Sequence, residues 1–313
     1  MNVLITGGTG FIGSHLARFL HKKGENVTLF DIEPDLGLVD DIRCELGLVR
    51  GDLACLSDLL SAVKNNKVEI IYHTGALLSA KAEKYPVAGF RTNLIGTFNV
   101  LEAARLFDVE MVIFPSSIAA FGEGVSNPVP NEAYQRPTTM YGVAKVAGEM
   151  LGEYYHRRFE VNFRCLRLPS VVGAGRGSGG ASAYSTLMIE KPARGESYQV
   201  YVGQDSRMPI LYIKDALRAF SGLQKADAAK LKRRVYNIGG ISPTAGEIAE
   251  SVRRHVKGAR LEFNPDRGMQ AIVDSWPEAL DETRAREEWG WVVKYHLDDM
   301  VEDFVKEIRS FGG

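Results

Sequence analysis

Residues 2–13 read Asn2-Val-Leu-Ile-Thr6 followed by Gly7-Gly8-Thr9-Gly10-Phe11-Ile12-Gly13. The first five form a short apolar, β-prone run of the kind that becomes a buried parallel strand. Gly8, Gly10 and Gly13 spell G-x-G-x-x-G, and Gly7, Gly10 and Gly13 also give G-x-x-G-x-x-G. Glycines so spaced allow a tight strand-to-helix turn and the close approach of a pyrophosphate. A helix predicted over Ser14–Lys23 points its free N–H groups at that anion. A second strand is predicted at Asn26–Phe30, so the motif has the strand–turn–helix–strand context that an isolated glycine pattern lacks. This context predicts an α/β chain organised on a doubly wound parallel sheet.

The chain beyond repeats the pattern. Asp31 ends the second strand, where a carboxylate accepts hydrogen bonds from adenosine ribose hydroxyls and repels a 2′-phosphate, which favours NAD over NADP. No Arg follows directly to reverse this. Val49–Leu53 is predicted as a third strand. Its Asp52 suits either the adenine amino group or the N-cap of a helix over Leu56–Lys64. Glu69–His73 is a predicted fourth strand running into Thr74-Gly75-Ala76, small residues that suit a strand end lying against a cofactor. His73 is read as a packed histidine, because spacing supplies no acidic partner. Leu77–Pro86 is read as a loop and short helix over the site mouth, with Ser79 as its polar group. A long helix is predicted over Phe90–Phe107. Its Asn93 is mildly unfavourable in a helix interior and points to a helix distortion or a held water. A fifth strand, Glu110–Phe114, ends at Pro115-Ser116-Ser117, where ligands bind in such sheets.

Tyr141-Gly-Val-Ala-Lys145 opens a predicted helix, Tyr141–Phe159. Residues four apart share one helix face, so a phenol and an ammonium stand side by side. A free phenol, pKa ~10, is a poor base at neutral pH, and a nearby cation favours its phenolate. A sixth strand, Val161–Leu168, ends at Pro169-Ser170. Further strands are predicted at Met208–Tyr212, Val235–Gly239 and Leu261–Phe263, and helices at Asp215–Lys225, Thr244–Val256 and Asp298–Arg309. The charges at Lys230–Arg234 are read as a solvated loop or helix end.

The chain has 313 residues, 45% hydrophobic and 25% charged, with net charge −1. That length buries a large core, and the balance leaves no electrostatic footprint for nucleic acid. Three scattered cysteines, Cys44, Cys55 and Cys165, match neither a disulfide framework nor a metal site and suit a reducing cytoplasm. No signal peptide, membrane span, internal repeat or metal site is expected.

Taken together, Thr6–Gly13, Asp31, Gly51-Asp52, the strand-end His-x-Gly-Ala, Asn93, Ser117, Tyr141 and Lys145 resemble the extended short-chain dehydrogenase/reductases, in family order and over the whole chain. Within that superfamily the chain is similar to the short-chain type of L-threonine 3-dehydrogenase. Four segments carry this: Ala76–Pro86, Pro137–Lys145 with Gly152–Tyr155, Asp205–Pro209, and Gln270–Pro277 with Ala285–Trp291. The resemblance implies a Rossmann domain, 1–168 with 208–238 returning, and a smaller α/β substrate-binding lobe, 169–207 and 239–313. It implies NAD held by Gly7, Gly10, Phe11, Ile12, Gly13, Asp31, Asp52, Leu53, Thr74, Gly75, Ala76, Asn93, Tyr141, Lys145 and Pro169. Ser117, Tyr141 and Lys145 are the implied catalytic set, with Tyr141 as base and Lys145 lowering its pKa. Ser79, Ser117, Tyr141, Gly180, Ser182 and Arg207 are the implied substrate contacts. The implied reaction oxidises the β-hydroxyl of L-threonine to give 2-amino-3-ketobutyrate. A nucleotide-sugar 4-epimerase or dehydratase uses the same residues, but Pro169-Ser170 stands where such enzymes commonly place Phe-Asn. Relatives also pair two helices into a four-helix bundle, which implies a homodimer through 90–107 and 141–159. The substrate loop departs from the family pattern: Gly179-Gly180-Ala181-Ser182-Ala183-Tyr184 stands where glycines and Thr-Thr-Asp-Tyr are usual. Loss of one hydroxyl weakens binding by roughly 0.5–1.5 kcal/mol and admits a different 3-hydroxy substrate.

Overall fold

The computed structural model describes residues 1–311. Its strands are β1 (Asn2–Thr6), β2 (Asn26–Asp31), β3 (Gly47–Arg50), β4 (Ile70–His73), β5 (Met111–Ser117), β6 (Phe163–Leu168), β7 (Ser170–Val172), β8 (Tyr198–Val200), β9 (Ile210–Tyr212), β10 (Val235–Asn237) and β11 (Leu261–Phe263). Seven of them form one parallel sheet in the order β3-β2-β1-β4-β5-β6-β10. The strand order reverses between β1 and β4, and the crevice outside the carboxyl ends of that pair is where such sheets bind ligands. Thr6 pairs with both Phe30 and His73, so the glycine turn after β1 and the Thr74–Ala76 segment after β4 emerge side by side. Helices cover both faces, which is why Val3, Leu4 and Ile5 are all buried rather than alternating.

The sheet is the Rossmann arrangement that the sequence predicts, with differences at several ends. The third strand lies at Gly47–Arg50 rather than Val49–Leu53. Its ladder partner is Thr28–Asp31 of β2, and once β2 ends there is nothing left to pair with Gly51–Leu53. β5 runs on to Ser117 because Ser116 and Ser117 still pair with Arg167 and Leu168 of β6 after β4 has stopped. Pro169 has no N–H and separates β6 from β7; β7 leaves the large sheet and pairs in parallel with β9. The predicted helix over Phe90–Phe107 is divided into a π-helical segment, Phe90–Ile95, and an α-helix, Gly96–Leu106. Asn93 sits in the π segment, the distortion its sequence position suggested. A 3₁₀ segment, Gly37–Glu45, and the helices Tyr184–Ala193, Arg267–Asp274 and Thr283–Trp289 were not anticipated.

Lys230–Arg234 is a loop, but Arg233 is not simply solvated. It pairs with Glu132 and with Glu288 at 3.1 Å, and Glu288 also accepts from the Lys232 backbone. The remaining strands form two small parallel pairs, β7 with β9 and β8 with β11. One continuous apolar cluster joins the inner face of β1 and β2 to Tyr184, Met188, Val252 and Phe304 beyond the large sheet.

Candidate active site

The glycine turn is built by close approach. Gly7 is left-handed, φ +61°, a conformation that glycine adopts without steric cost. A Cβ at Gly13 would overlap the carbonyl oxygen of Gly7. The helix Phe11–His21 therefore starts directly on the turn, at Gly10, and no side chain caps its first N–H groups. Uncapped amides at a helix start form an anion site. At the end of β2, one oxygen of Asp31 accepts from the Thr9 backbone at 3.2 Å and the Thr9 hydroxyl at 2.8 Å. The other oxygen has only a long contact, 3.5 Å, from the Glu33 amide.

Asp52 does not cap the following helix, whose N-cap is Cys55. Instead Asp52 accepts from the Ala54 amide at 2.8 Å within its own turn. Leu53 is buried and packs against Gly75 and Gly96. Thr74 donates to the Thr6 carbonyl at 2.7 Å, locking the β4 end to the β1 end. Asn93 is engaged by the chain itself. Its amide accepts from the Leu77 N–H at 2.7 Å and donates to the Leu77 carbonyl at 2.9 Å, so it holds the segment after Ala76.

The helix Met140–Phe159 is capped by Thr139, which accepts from the Gly142 amide at 3.0 Å. Gly148 and Gly152 sit on the rings of Phe114 and Phe163, where a Cβ would collide. The helix therefore lies close on β5 and β6, and Tyr141 and Lys145 reach the strand ends. Tyr141 stands beside Ser117, close enough for the serine hydroxyl to favour its phenolate, and the Ser117 hydroxyl oxygen accepts from the Ala119 amide at 3.2 Å. Lys145 is buried and donates to the Pro115 carbonyl at 2.6 Å, with its ammonium 4.4 Å from the Phe114 ring centre and 5.4 Å from that of Tyr141.

Burial pushes the Tyr141 phenol up to about 12, and the Ser117 hydroxyl offsets this only in part. Burial pulls Lys145 down to about 8, against the opposing pull of Cys165 and Glu149. The expectation that Lys145 lowers the tyrosine pKa is thus not met in this geometry. The ammonium is held by a backbone carbonyl, and desolvation of the phenolate dominates. His73 is the packed histidine that its sequence context indicated. Its ring bonds Thr6 at 2.7 Å and Thr97 at 3.0 Å, stacks on Phe114, and burial pushes it down to about 3.

The glycine-rich loop after β7 closes over the start of the first helix, with His15 bonded to the Ala174 carbonyl at 2.8 Å and Gly173 against Phe11. Gly180 is left-handed, φ +88°, and Ser182 accepts from Arg176 at 2.6 Å. Arg176 escaped the sequence reading. Its other terminal nitrogen is buried with no partner, and burial pulls its pKa down to about 10. The signal available was an arginine set among glycines in Gly173–Gly180. Ser79 begins the short helix Ser79–Lys84. Arg207 is bonded to the Ser242 carbonyl and lies 3.6 Å from Glu247. It lines a cavity of ≈ 380 Å³ with Gln204, Ser206, Gln270 and Trp276; Ser117, Tyr141 and Lys145 are not among the lining residues.

An uncapped helix start on a glycine cradle, with a carboxylate at the end of the second strand, fits a dinucleotide: the first would hold its diphosphate and the second its ribose. The fold and this geometry define a dinucleotide-binding α/β protein. Residues 3–239 match the model of the NAD dependent epimerase/dehydratase family. The mitochondrial L-threonine 3-dehydrogenase of Bos taurus is 36% identical over 303 residues, 96% of this chain and 80% of its own length. The holo form of a GalE-like L-threonine dehydrogenase from Cupriavidus necator superposes with TM-score 0.91 at 33% identity, covering 98% of this chain and 100% of its own. A UDP-glucose 4-epimerase from Thermotoga maritima superposes with TM-score 0.87 at 25% identity, covering 100% of both chains. The chain belongs to the NAD dependent epimerase/dehydratase family, the extended short-chain dehydrogenase/reductases, and its cofactor is NAD.

Proposed function

We propose that this protein oxidises the β-hydroxyl of L-threonine, or of a close 3-hydroxy amino acid, to the ketone, which from threonine is 2-amino-3-ketobutyrate. The observation that carries the reading is the meeting of Ser117, Tyr141 and Lys145 at the carboxyl end of β5. NAD, when bound, supplies the hydride acceptor for the β-carbon. Tyr141 takes the hydroxyl proton at its phenolic oxygen. Ser117 donates a hydrogen bond to the same substrate oxygen as it becomes a carbonyl. Lys145 would hold the nicotinamide ribose, and Arg176 receives the substrate carboxylate through its unpartnered nitrogen.

A phenol of pKa about 12 is ionised at pH 7 in roughly one molecule in 10⁵. An ammonium moved to within 4 Å gains about 4 kcal/mol at an effective dielectric near 20, worth about three pH units. Lys145, at about 8, is still largely charged at pH 7 and can supply this. Oxidation therefore accelerates as pH rises toward about 8, where that charge begins to be lost.

The proposed division into a cofactor domain, 1–168 with 208–238, and a substrate lobe is supported by β10 returning to the large sheet beside β6, although β9 pairs with β7 outside that sheet. Among the described residues, no helix is long and apolar enough to cross a membrane, and an exposed free Cys44 is compatible with a cytoplasmic location. A homodimer through residues 90–107 and 141–159 is supported by an apolar cleft between those helices. Leu94, Ile95, Phe98, Ala147, Met150 and Leu151 line it, and Met150 is 60% exposed. A monomer mass by light scattering at micromolar concentration would overturn the dimer. The activity is tested by incubating the protein with NAD and either L-threonine or UDP-glucose and following NADH absorbance. Growth of absorbance with threonine supports the reading. Conversion of UDP-glucose without net NADH supports the epimerase instead.

A further inference from the structure

Two turns beyond Tyr141, on the same helix face as Tyr141 and Lys145, stands a buried carboxylate that the mechanism does not use. Glu149 is 3% exposed. It accepts three bonds from the Arg167 guanidinium, at 2.7, 3.0 and 3.1 Å, one from Gln135 at 2.8 Å, and one from the Ser116 hydroxyl. Arg167 in turn donates to the Asn131 carbonyl at 2.7 Å and lies over the Phe121 ring. Ser116 is the neighbour of Ser117 on β5, and Gln135 belongs to the segment that leads into Tyr141. The carboxylate thus joins the strand end carrying Ser117, the approach to the helix, and β6.

A buried ion pair is weak evidence for stability, because desolvating both ions offsets their attraction. Its position here indicates another use. The groups facing Lys145 are Tyr141 and Glu149 on its own helix, the Pro115 carbonyl on β5, His73 on β4, and Cys165 on β6, with Arg167 behind Glu149. His73 is neutral, and burial pushes the Cys165 thiol well up. Glu149 is then the one anion in that set, and it favours the charged form of Lys145.

We propose that Glu149 is a positioning residue of this site, which ties Ser116–Ser117 to the helix of Tyr141 and sets its carboxylate one turn along that helix from Lys145. The proposal rests on the reading of Ser117, Tyr141 and Lys145 given above. Ser116→Ala cuts the tie to the strand alone. Glu149→Gln keeps the shape but leaves the Arg167 charge without its anion. Glu149→Gln with Arg167→Met removes both charges, and such paired replacements commonly keep a protein folded.

The test measures NADH binding by fluorescence from pH 6 to 10, thermal melting, and turnover. Ser116→Ala is expected to melt near the wild type, bind NADH normally, and lose roughly 10-fold in turnover, the effect of one hydrogen bond to a charged group. Glu149→Gln is expected to lose NADH affinity at a lower pH than the wild type does. Should it fail to fold, the double variant is measured instead, with the same direction of change expected. Unchanged turnover in Ser116→Ala, or a binding profile against pH that matches the wild type in the folded Glu149 variant, overturns the proposal. If the wild type reduces no NAD with L-threonine, the substrate reading fails by itself, and the binding arm still decides the role of Glu149.

Discussion

The turn at Gly7–Gly13 and the loop at Gly173–Tyr184 both carry left-handed glycines, but the second is closed in only in its first part, where Gly175 lies against Leu38. Gly7 lies against Gly75, and Gly13 against Gly7. In the second loop, Gly177 and Gly180 are left-handed at +71° and +88° with no heavy atom within 4 Å of where a Cβ would stand. The first turn is gripped between β1, β4 and a helix, so its shape follows from the sheet. The second is anchored near its start, at His15 and Phe11, and at Tyr184, whose amide donates to Tyr201 at 3.0 Å. Between these anchors it holds an arginine with an unused donor. The residues proposed for the chemistry therefore stand on closely packed parts, and the loop proposed for substrate selection is open around Gly177 and Gly180. Ala181-Ser182-Ala183 in place of Thr-Thr-Asp lies in that loop.

Substitutions on the two sides should separate cleanly. The largest effect is expected on the closely packed side. Tyr141→Phe keeps the ring and removes the base, and turnover should fall roughly 10²–10⁴-fold with NAD binding nearly intact. Lys145→Met should lower turnover and weaken NAD binding together, because in the proposed mechanism the ammonium serves both the phenol and the ribose. Near-normal turnover in Tyr141→Phe would end the mechanism.

Next in size is Arg176→Met, which removes a charge-assisted bond of about 1.5–3 kcal/mol. It should raise the KM for threonine roughly 10–100-fold and spare NAD binding. A loss of NAD affinity would instead assign Arg176 to the diphosphate. Asp31→Ser should narrow the NAD/NADP preference by about as much, read as the ratio of kcat/KM values, and wild-type protein that uses NADP equally well would refute the ribose assignment. Smallest is Ser182→Ala, worth roughly 0.5–1.5 kcal/mol and visible as a KM change for threonine of about 2–10-fold.

The pH profile sharpens the comparison from the other direction. With Tyr141 at about 12 in the unliganded site and Lys145 at about 8, the phenolate form of Tyr141 becomes more populated as pH rises. Wild-type turnover should therefore climb as pH rises from 7 toward about 8, where Lys145 begins to lose its charge, while the residual turnover of Tyr141→Phe should stay flat. A wild-type profile that falls over this range would mean that the cation at Lys145, lost as pH rises past about 8, matters more than the phenolate.

Much of this was legible in the chain itself. The apolar run Asn2–Thr6, the glycines at 7, 10 and 13, and Asp31 at the end of β2 determine a dinucleotide site because they are local: each acts within a few residues of its own strand. The i, i+4 spacing of Tyr141 and Lys145 likewise places both on one helix face without reference to anything distant. Even Asn93 announced a distortion by standing in a helix interior. What the tertiary structure alone decided depends on contacts between distant segments. Asn93 reaches Leu77, Glu149 reaches Ser116 and Arg167, and Lys145 is held by Pro115. No sequence period relates those positions, so no pattern could reveal them. The same is true of the direction in which Tyr141 is shifted. Two residues side by side suggest mutual activation, but the free energy of burying a phenolate depends on how much water the folded chain excludes, and that is settled only when β5, β6 and the helix Met140–Phe159 close together.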